Sequence, residues 1–497
     1  MRRVLMVTYF FPPVGGVGVE RSLKHVIYLP ERGWEPVVVA PANSSYRIVD
    51  PATEARIPPG TEVHRAHGLE PGHLRRLVGR LAGRAASASS SAPASETAPT
   101  SIPGVGAAAG PGAPSAARGA AGVMLRRLNA AWAWAIPRTF FPDEQVGWIP
   151  GAVAAGRRAA VAGQVDVIYS SSPPISGHMA AALLKRSLKV PWVADFRDPW
   201  IGNSYAPPLP RPHRALQIAI ERRIVASADR VILPTADLRE RYAERYPDLA
   251  ARFVHIPNGY DLAEIGAIAP EDRSEAPLLG AAGAEASSQP FRLVYAGSLY
   301  GRDELTLLLD GLQLLLERRP ALRERLRIDF MGYISAGNAQ LLAARLPLVA
   351  PVVRHLGLRP RSETIALERA ASAGLVLLAA GAGRSGVVPA KTYEYLGLDL
   401  PVLAMATEGD VRQILTELGW GVIADPTAAG VADGIERIIE EAPAMHGRTA
   451  DPQRRYERRQ LAGRLSALLD EVAGARGAPG STADATLTRS SVETPPS

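Results

Sequence analysis

The 497-residue chain contains no cysteine. That excludes disulfides, a thiolate nucleophile and any cysteine-ligated metal, and it fits a cytoplasmic setting. No run of eighteen apolar residues occurs, so no membrane-spanning helix is expected. The start, Met1 to Phe10, is basic at Arg2 and Arg3, but its apolar run is short before Pro12-Pro13. It reads as a first strand rather than a signal peptide. Aromatic residues are only 6% of the chain and are not interleaved with a clustered basic stripe. The formal charge of +7 comes largely from arginines spread along the chain, which speaks against a nucleic-acid partner. An anionic membrane surface, or phosphorylated ligands, is the more economical use of that charge. Nor is there an Asp-x-Asp triplet anywhere in the chain.

What is present is a repeated alternation of apolar runs and helical patterns. The length implies two domains. Residues 4–10 and Pro36 to Ala40 are strand-like, with a helical pattern from about Val19 to Glu31 between them. Between the first strand and that helix lies Pro12-Pro13-Val14-Gly15-Gly16-Val17-Gly18. Glycines at such a junction let a ligand approach the backbone, and the helix N-terminus favours an anion. As a dinucleotide fingerprint the stretch is poor, because Arg21 stands at the third glycine position. The plain alternative is a tight turn. Residues 83–122 are mostly Ala, Ser, Pro and Gly and read as a disordered insertion in the first domain. Patterns flanking it (Leu74 to Leu81, and Met124 to Trp134) suggest two amphipathic helices in a basic neighbourhood, packed on the domain or, as the minority reading, lying on a membrane surface.

Further strands are read at Asp166 to Ser170 and Pro191 to Asp195. The first ends in Ser171-Ser172-Pro173-Pro174, with His178 in the next helix; the second ends in Phe196-Arg197-Asp198-Pro199-Trp200. Both loops fall at strand carboxyl ends, where function concentrates. A buried histidine beside a carboxylate is otherwise a structural feature. Arg292 to Leu299 restarts the rhythm, and Arg302 stands where the following helix begins, in reach of a phosphate there; the plain alternative is a solvated loop arginine.

The second half is organised around Val387-Val388-Pro389-Ala390-Lys391-Thr392-Tyr393-Glu394-Tyr395-Leu396-Gly397, then Pro401-Val402-Leu403-Ala404. A strand, Gly374 to Ala380, precedes it. Lys391 and Glu394, three residues apart, occupy one side of a short helix at a strand's carboxyl end. Lysine suits phosphate and glutamate suits a diol, although an exposed surface ion pair is the bland reading.

The pattern Pro-x-Lys-x-x-Glu-Tyr followed by Pro-Val-Leu-Ala resembles the nucleotide-sugar segment of retaining glycosyltransferases of family 4. Many members carry a second glutamate eight residues before the one at Glu394; here that position is Gly386. The Ser-Ser-Pro-Pro…His and Asp-Phe-Arg-Asp-Pro-Trp segments, and Asn258-Gly259-Tyr260-Asp261, resemble the same family. The resemblance implies an α/β GT-B fold: two Rossmann-like domains facing across a cleft, with a C-terminal helix crossing back to the first. An acceptor-side domain is expected at 1–264 and a nucleotide-sugar domain at 290–452, joined by a polar, Ala/Gly-rich linker at 265–289 and followed by the crossing helix at 453–473 and a polar, disordered tail at 474–497. The resemblance further implies transfer of a sugar from a nucleotide-diphospho-sugar to an acceptor hydroxyl, in cell-surface polysaccharide or glycolipid synthesis. Gly15, Gly16, Arg302, Lys391 and Glu394 would bind the donor, and His178 and Asp198 would orient the acceptor. No metal and no cofactor beyond the donor substrate are expected, and peripheral contact with the inner face of a membrane is a further expectation. A non-catalytic binding protein and a sugar-nucleotide epimerase or phosphorylase of the same fold are the alternatives.

Overall fold

The computed structural model describes residues 1–44, 49–73, 140–203, 209–267, 290–299, 301–378, 386–445 and 454–477. The 83–122 insertion with the helices expected beside it, most of the 265–289 linker and most of the 474–497 tail lie outside these residues. Two parallel sheets organise the rest.

The first sheet has the order β3-β2-β1-β4-β5-β6-β7. Its strands are β1 (Arg2–Thr8), β2 (Trp34–Pro41), β3 (Glu62–Ala66), β4 (Val167–Ser172), β5 (Trp192–Phe196), β6 (Arg230–Leu233) and β7 (Phe253–His255). All described pairings are parallel. A parallel sheet is covered on both faces, so its central strands are apolar throughout rather than alternating. Val4, Leu5, Met6 and Val7 are all fully buried. Helices α1 (Val17–Tyr28), α2 (Ile149–Ala162), α3 (Ile175–Leu188), α4 (Arg211–Ser227) and α5 (Ala236–Arg245) make the crossovers. α2 to α5 cover one face around Trp148, Trp192, Phe196 and Tyr242. α1 covers the other, with Leu23 and Val26 beside Trp34.

The second sheet has the order β10-β9-β8-β11-β12-β13. Its strands are β8 (Phe291–Ala296), β9 (Leu326–Met331), β10 (Val353–Gly357), β11 (Ala373–Leu377), β12 (Val402–Met405) and β13 (Gly421–Ala424). A short helix, α6 (Leu262–Ala267), precedes it; α7 (Arg302–Arg318), α8 (Ala336–Val349), α9 (Arg361–Arg369), α10 (Ala390–Gly397), α11 (Asp410–Leu418) and α12 (Ala428–Met445) are woven through it. Periodicity explains α7: Leu305, Leu308, Leu309, Leu312, Leu315 and Leu316 recur every three or four residues and all face the core. α11 stops at Gly419, whose φ of 60° is the left-handed closure that glycine adopts freely.

The chain crosses between the sheets twice, side by side. On the way out, Tyr260 N donates to Tyr456 O at 3.1 Å; on the way back, Arg458 N donates to Tyr260 O at 2.8 Å. The final helix, α13 (Arg458–Gly477), then lies on the first domain. Leu461, Leu465, Leu468, Leu469 and Val472 are buried there. Each such side chain contributes about 1.5–3 kcal/mol, against about 1 kcal/mol or less for exposed pairs such as Arg2–Asp470, so the apolar stripe holds the helix in place. Two boundaries differ from expectation. Residues 265–267 are not linker but the end of α6, whose Ile265 is buried in the second domain's core. The crossing helix runs 458–477 instead of 453–473, because residues 456–457 are still engaged with Tyr260.

Candidate active site

In the first domain, the loops after β1, β4 and β5 meet at the carboxyl edge of the sheet. Gly15 is buried and Gly16 is exposed at the start of α1, with φ 93°, a conformation that requires glycine. No side chain caps that helix end. Arg197 fastens the three loops together. Its guanidinium donates to Gly18 O, to Pro173 O at 2.8 Å and to Ser172 O at 3.2 Å, and it lies 5.2 Å from the Phe10 ring centre. Burial lowers its pKa; Asp198 and Asp195 oppose the shift.

Arg21, where a dinucleotide fingerprint would have glycine, is a structural centre. Its side chain is 3% exposed and Asp195 is fully buried. Its donors reach Asp195 Oδ2 (2.6 Å) and Oδ1 (3.1 Å), Ile256 O (3.0 Å), Pro257 O (2.8 Å) and Asn258 Oδ1 (3.3 Å). A guanidinium has five N–H donors, so all are used. Tyr169 Oη donates to the same carboxylate.

His178 is enclosed rather than presented to solvent. It is fully buried on α3, 4.4 Å from the Phe196 ring centre. Ser170 Oγ accepts from Trp192 Nε1 at 2.7 Å and lies 2.8 Å from His178 Nδ1. Nε2 has no partner among the described residues. Burial, with Arg197 nearby, lowers the imidazole pKa to about 3. Asp198, by contrast, is exposed at the rim. The protein mass around it raises its pKa, and Arg197 opposes that.

In the second domain, α10 opens at Pro389 beyond β11 and sets Lys391 and Glu394 on its first turns. Lys391 Nζ lies 3.1 Å from the Tyr295 ring centre. It passes beside Gly297 (φ 133°), where a Cβ would stand 3.4 Å from it. Burial pulls the ammonium pKa well down, while Glu368 and Glu394 oppose it. Glu394 receives Arg361 Nη1 at 2.5 Å. Its carboxyl also meets that of Glu368, a fully buried residue of α9 whose oxygens find no donor elsewhere among the described residues. Burial first, and Glu394 second, raise the Glu368 pKa well above the carboxylate range. A second carboxylate so close disfavours the charged form of the buried Glu368.

Arg361 also reaches Glu264 Oε1 at 3.4 Å, and Glu264 pairs with Lys24 and Arg56, each at 3.2 Å. Charged contacts thus link Glu394 to α1 of the first domain. The structure therefore brings Lys391 and Glu394 together. Arg302 stands apart: it is exposed, has no ion pair among the described residues, and lies near the first turn of α8, 3.7 Å from a Cβ built on Gly337. Sequence reasoning missed Glu368 and Arg361. The available signal was a carboxylate at a core position of α9, three residues after the buried Ile365. Gly386 is buried where the domains touch. Its carbonyl accepts from Thr235 Oγ1 at 3.3 Å, and a Cβ there would lie 2.6 Å from Asp237 Oδ2 on α5. Asp410 Oδ1 accepts from Ala236 N at 2.8 Å alongside.

Two Rossmann-like domains facing each other, with a returning C-terminal helix, define the GT-B fold. The solved structures that the chain resembles are of this class. HepE from Anabaena, solved with UDP, superposes with TM-score 0.55 at 13% identity, over 95% of this chain and 100% of that one. Sucrose-phosphate synthase from Thermosynechococcus elongatus gives 0.55 at 14%, over 96% and 100%. The N-terminal domain of trehalose-6-phosphate phosphatase from Candida albicans gives 0.58 at 13%, over 95% and 97%. In sequence, residues 110–264 match the family model Glycosyltransferase Family 4. No curated protein sequence matches the chain.

Proposed function

We propose that the chain is a glycosyltransferase that moves a sugar from a nucleotide-diphospho-sugar to an acceptor hydroxyl, with retention at the anomeric carbon. The observation that carries this is Lys391 and Glu394 on one turn of α10 at the carboxyl end of β11, with Glu394 held by Arg361. Glu394 would accept the ribose hydroxyls and Lys391 would meet the diphosphate. In the reaction the acceptor oxygen bonds to the anomeric carbon and the bond to the phosphate oxygen breaks. The nucleoside diphosphate leaves with the bonding electrons, and the acceptor proton passes to it. Charge therefore grows on the leaving phosphate, which Lys391 and the start of α1 at Gly15-Gly16, capped by no side chain, would stabilise without a metal. Asp198 would orient the acceptor hydroxyl. His178 would contribute as a neutral imidazole only, since its pKa of about 3 leaves it uncharged at neutral pH.

HepE is described with UDP and with UDP-glucose, so uridine donors are the first to try. The acceptor class we favour is a cell-surface polysaccharide or lipid-linked glycan, met in the cytoplasm. A GT-B-fold binding protein without turnover is the second reading; Gly386, closed against α5, favours it. Thermal-shift titration with uridine, guanosine and adenosine diphosphates and their sugars separates these readings. A ligand at about 100 times its dissociation constant stabilises by about 2.7 kcal/mol. One nucleotide family should shift the transition, Glu394→Ala should lose that shift, and the matching nucleotide-sugar should be turned over. A shift without turnover supports the binding protein; no shift refutes the donor site.

A further inference from the structure

Helices α2, α3 and α4 lie side by side on one face of the first sheet, with α3 between the other two. Their charge is one-sided. α2 carries Arg157 and Arg158, and α3 carries Lys185 and Arg186. α4 carries Arg211, Arg214, Arg222 and Arg223. Against these cations stands one carboxylate, Glu221, which is fully buried and held by Tyr242, Arg245 and Tyr246. Lys185 pairs with Asp229 and Arg222 with Asp248 from neighbouring loops. Arg158, Arg186, Arg211, Arg214 and Arg223 are exposed and have no ion pair among the described residues. Aliphatic side chains protrude between them: Leu183 is 45% exposed, Leu216 46% and Ile218 43%.

We propose that this face docks the protein on an anionic lipid surface. Unpaired arginines beside protruding leucine and isoleucine match a charged headgroup layer over an apolar one. A nucleic acid is the weaker match, because these helices carry no Phe, Tyr or Trp ring on which a base could stack. The surface runs along the flank of the sheet and reaches its carboxyl edge at the first turns of α4, where Gln217 Nε2 donates to Trp200 O at 3.0 Å beside the β5 loop.

Co-sedimentation of the full chain with lipid vesicles tests this. Vesicles containing about one-third phosphatidylglycerol should bind it, pure phosphatidylcholine vesicles should not, and added salt should weaken the binding. Each arginine near such a surface contributes about fivefold, so Arg211→Glu/Arg214→Glu/Arg223→Glu should weaken binding by at least about 100-fold. Arg158→Glu/Arg186→Glu, on the other two helices, should weaken it by at least about 10-fold. Leu216→Ser/Ile218→Ser should remove the part that survives high salt. An unchanged thermal transition certifies that each variant is folded. No binding of the parent to anionic vesicles overturns the proposal, as does binding unchanged in both folded charge variants. Tighter binding to an RNA or DNA duplex through the same arginines overturns it in favour of a nucleic-acid surface.

Discussion

Asp195→Ala is the perturbation whose cost the structure defines most sharply. Arg21 is 3% exposed and spends donors on both oxygens of Asp195. Removing the carboxylate leaves a buried guanidinium without a counter-ion, at about 3–5 kcal/mol. A domain commands about 5–15 kcal/mol in all, so the loss is a large share of the first domain's stability. Arg21→Met should cost a similar amount, because it strips donors from Asp195 and from the carbonyls of Ile256 and Pro257. The double variant, Arg21→Met/Asp195→Ala, removes both charges together. It still orphans the two carbonyls, so it is not neutral, but it should fall short of the sum of the single costs by at least about 2 kcal/mol. Urea unfolding followed by tryptophan fluorescence is the assay. Six of the seven tryptophans precede residue 201, so the signal reports the first domain. A cost below about 1 kcal/mol for Asp195→Ala, or additive single costs, refutes the account.

Acid should destabilise the first domain through its histidines. His178 has its pKa lowered to about 3, His255 to about 4, and His25 well below its ordinary value, each chiefly by burial. Unfolding lets them bind protons below about pH 6.5, so stability is lost as pH falls from 6.5 towards 4, at up to about 4 kcal/mol per pH unit for the three together. Urea midpoints between pH 7 and 5 should show this, and His178→Asn should flatten the slope; equal slopes would contradict it. Gly259→Ala tests the double crossing, since a Cβ there would stand 1.9 Å from Tyr456 O, a backbone atom. It should lower the thermal midpoint by several degrees, and an unchanged midpoint would show that the crossing yields.

Local pattern alone carried much of the architecture. Val4 to Val7 and the run at Leu375 to Leu377 are strands because parallel strands are covered on both faces and read as unbroken apolar segments. The leucines of α7 declare a helix at their own spacing. Lys391 and Glu394 were legible as a pair because three residues of helix bring them to one side, whatever the rest of the chain does. The crossing helix was legible too, though its start was displaced by five residues because the Tyr260–Tyr456 contact comes first.

Only the tertiary structure decided the surroundings of those residues. The partners of Glu394 are Arg361, one loop and one strand earlier, and Glu368, which no spacing rule joins to it. Arg21 and Asp195 are 174 residues apart and become one ion pair only because β1, β4 and β5 are neighbours in the sheet. His178 looked like a rim residue beside a serine; Trp192 and Phe196 close over it and hold it neutral. Periodicity is written within one segment, so the chain announces its strands and helices by itself. Burial, charge pairing and pKa depend on which segments the crossovers bring into contact, and that is settled only when the sheets assemble.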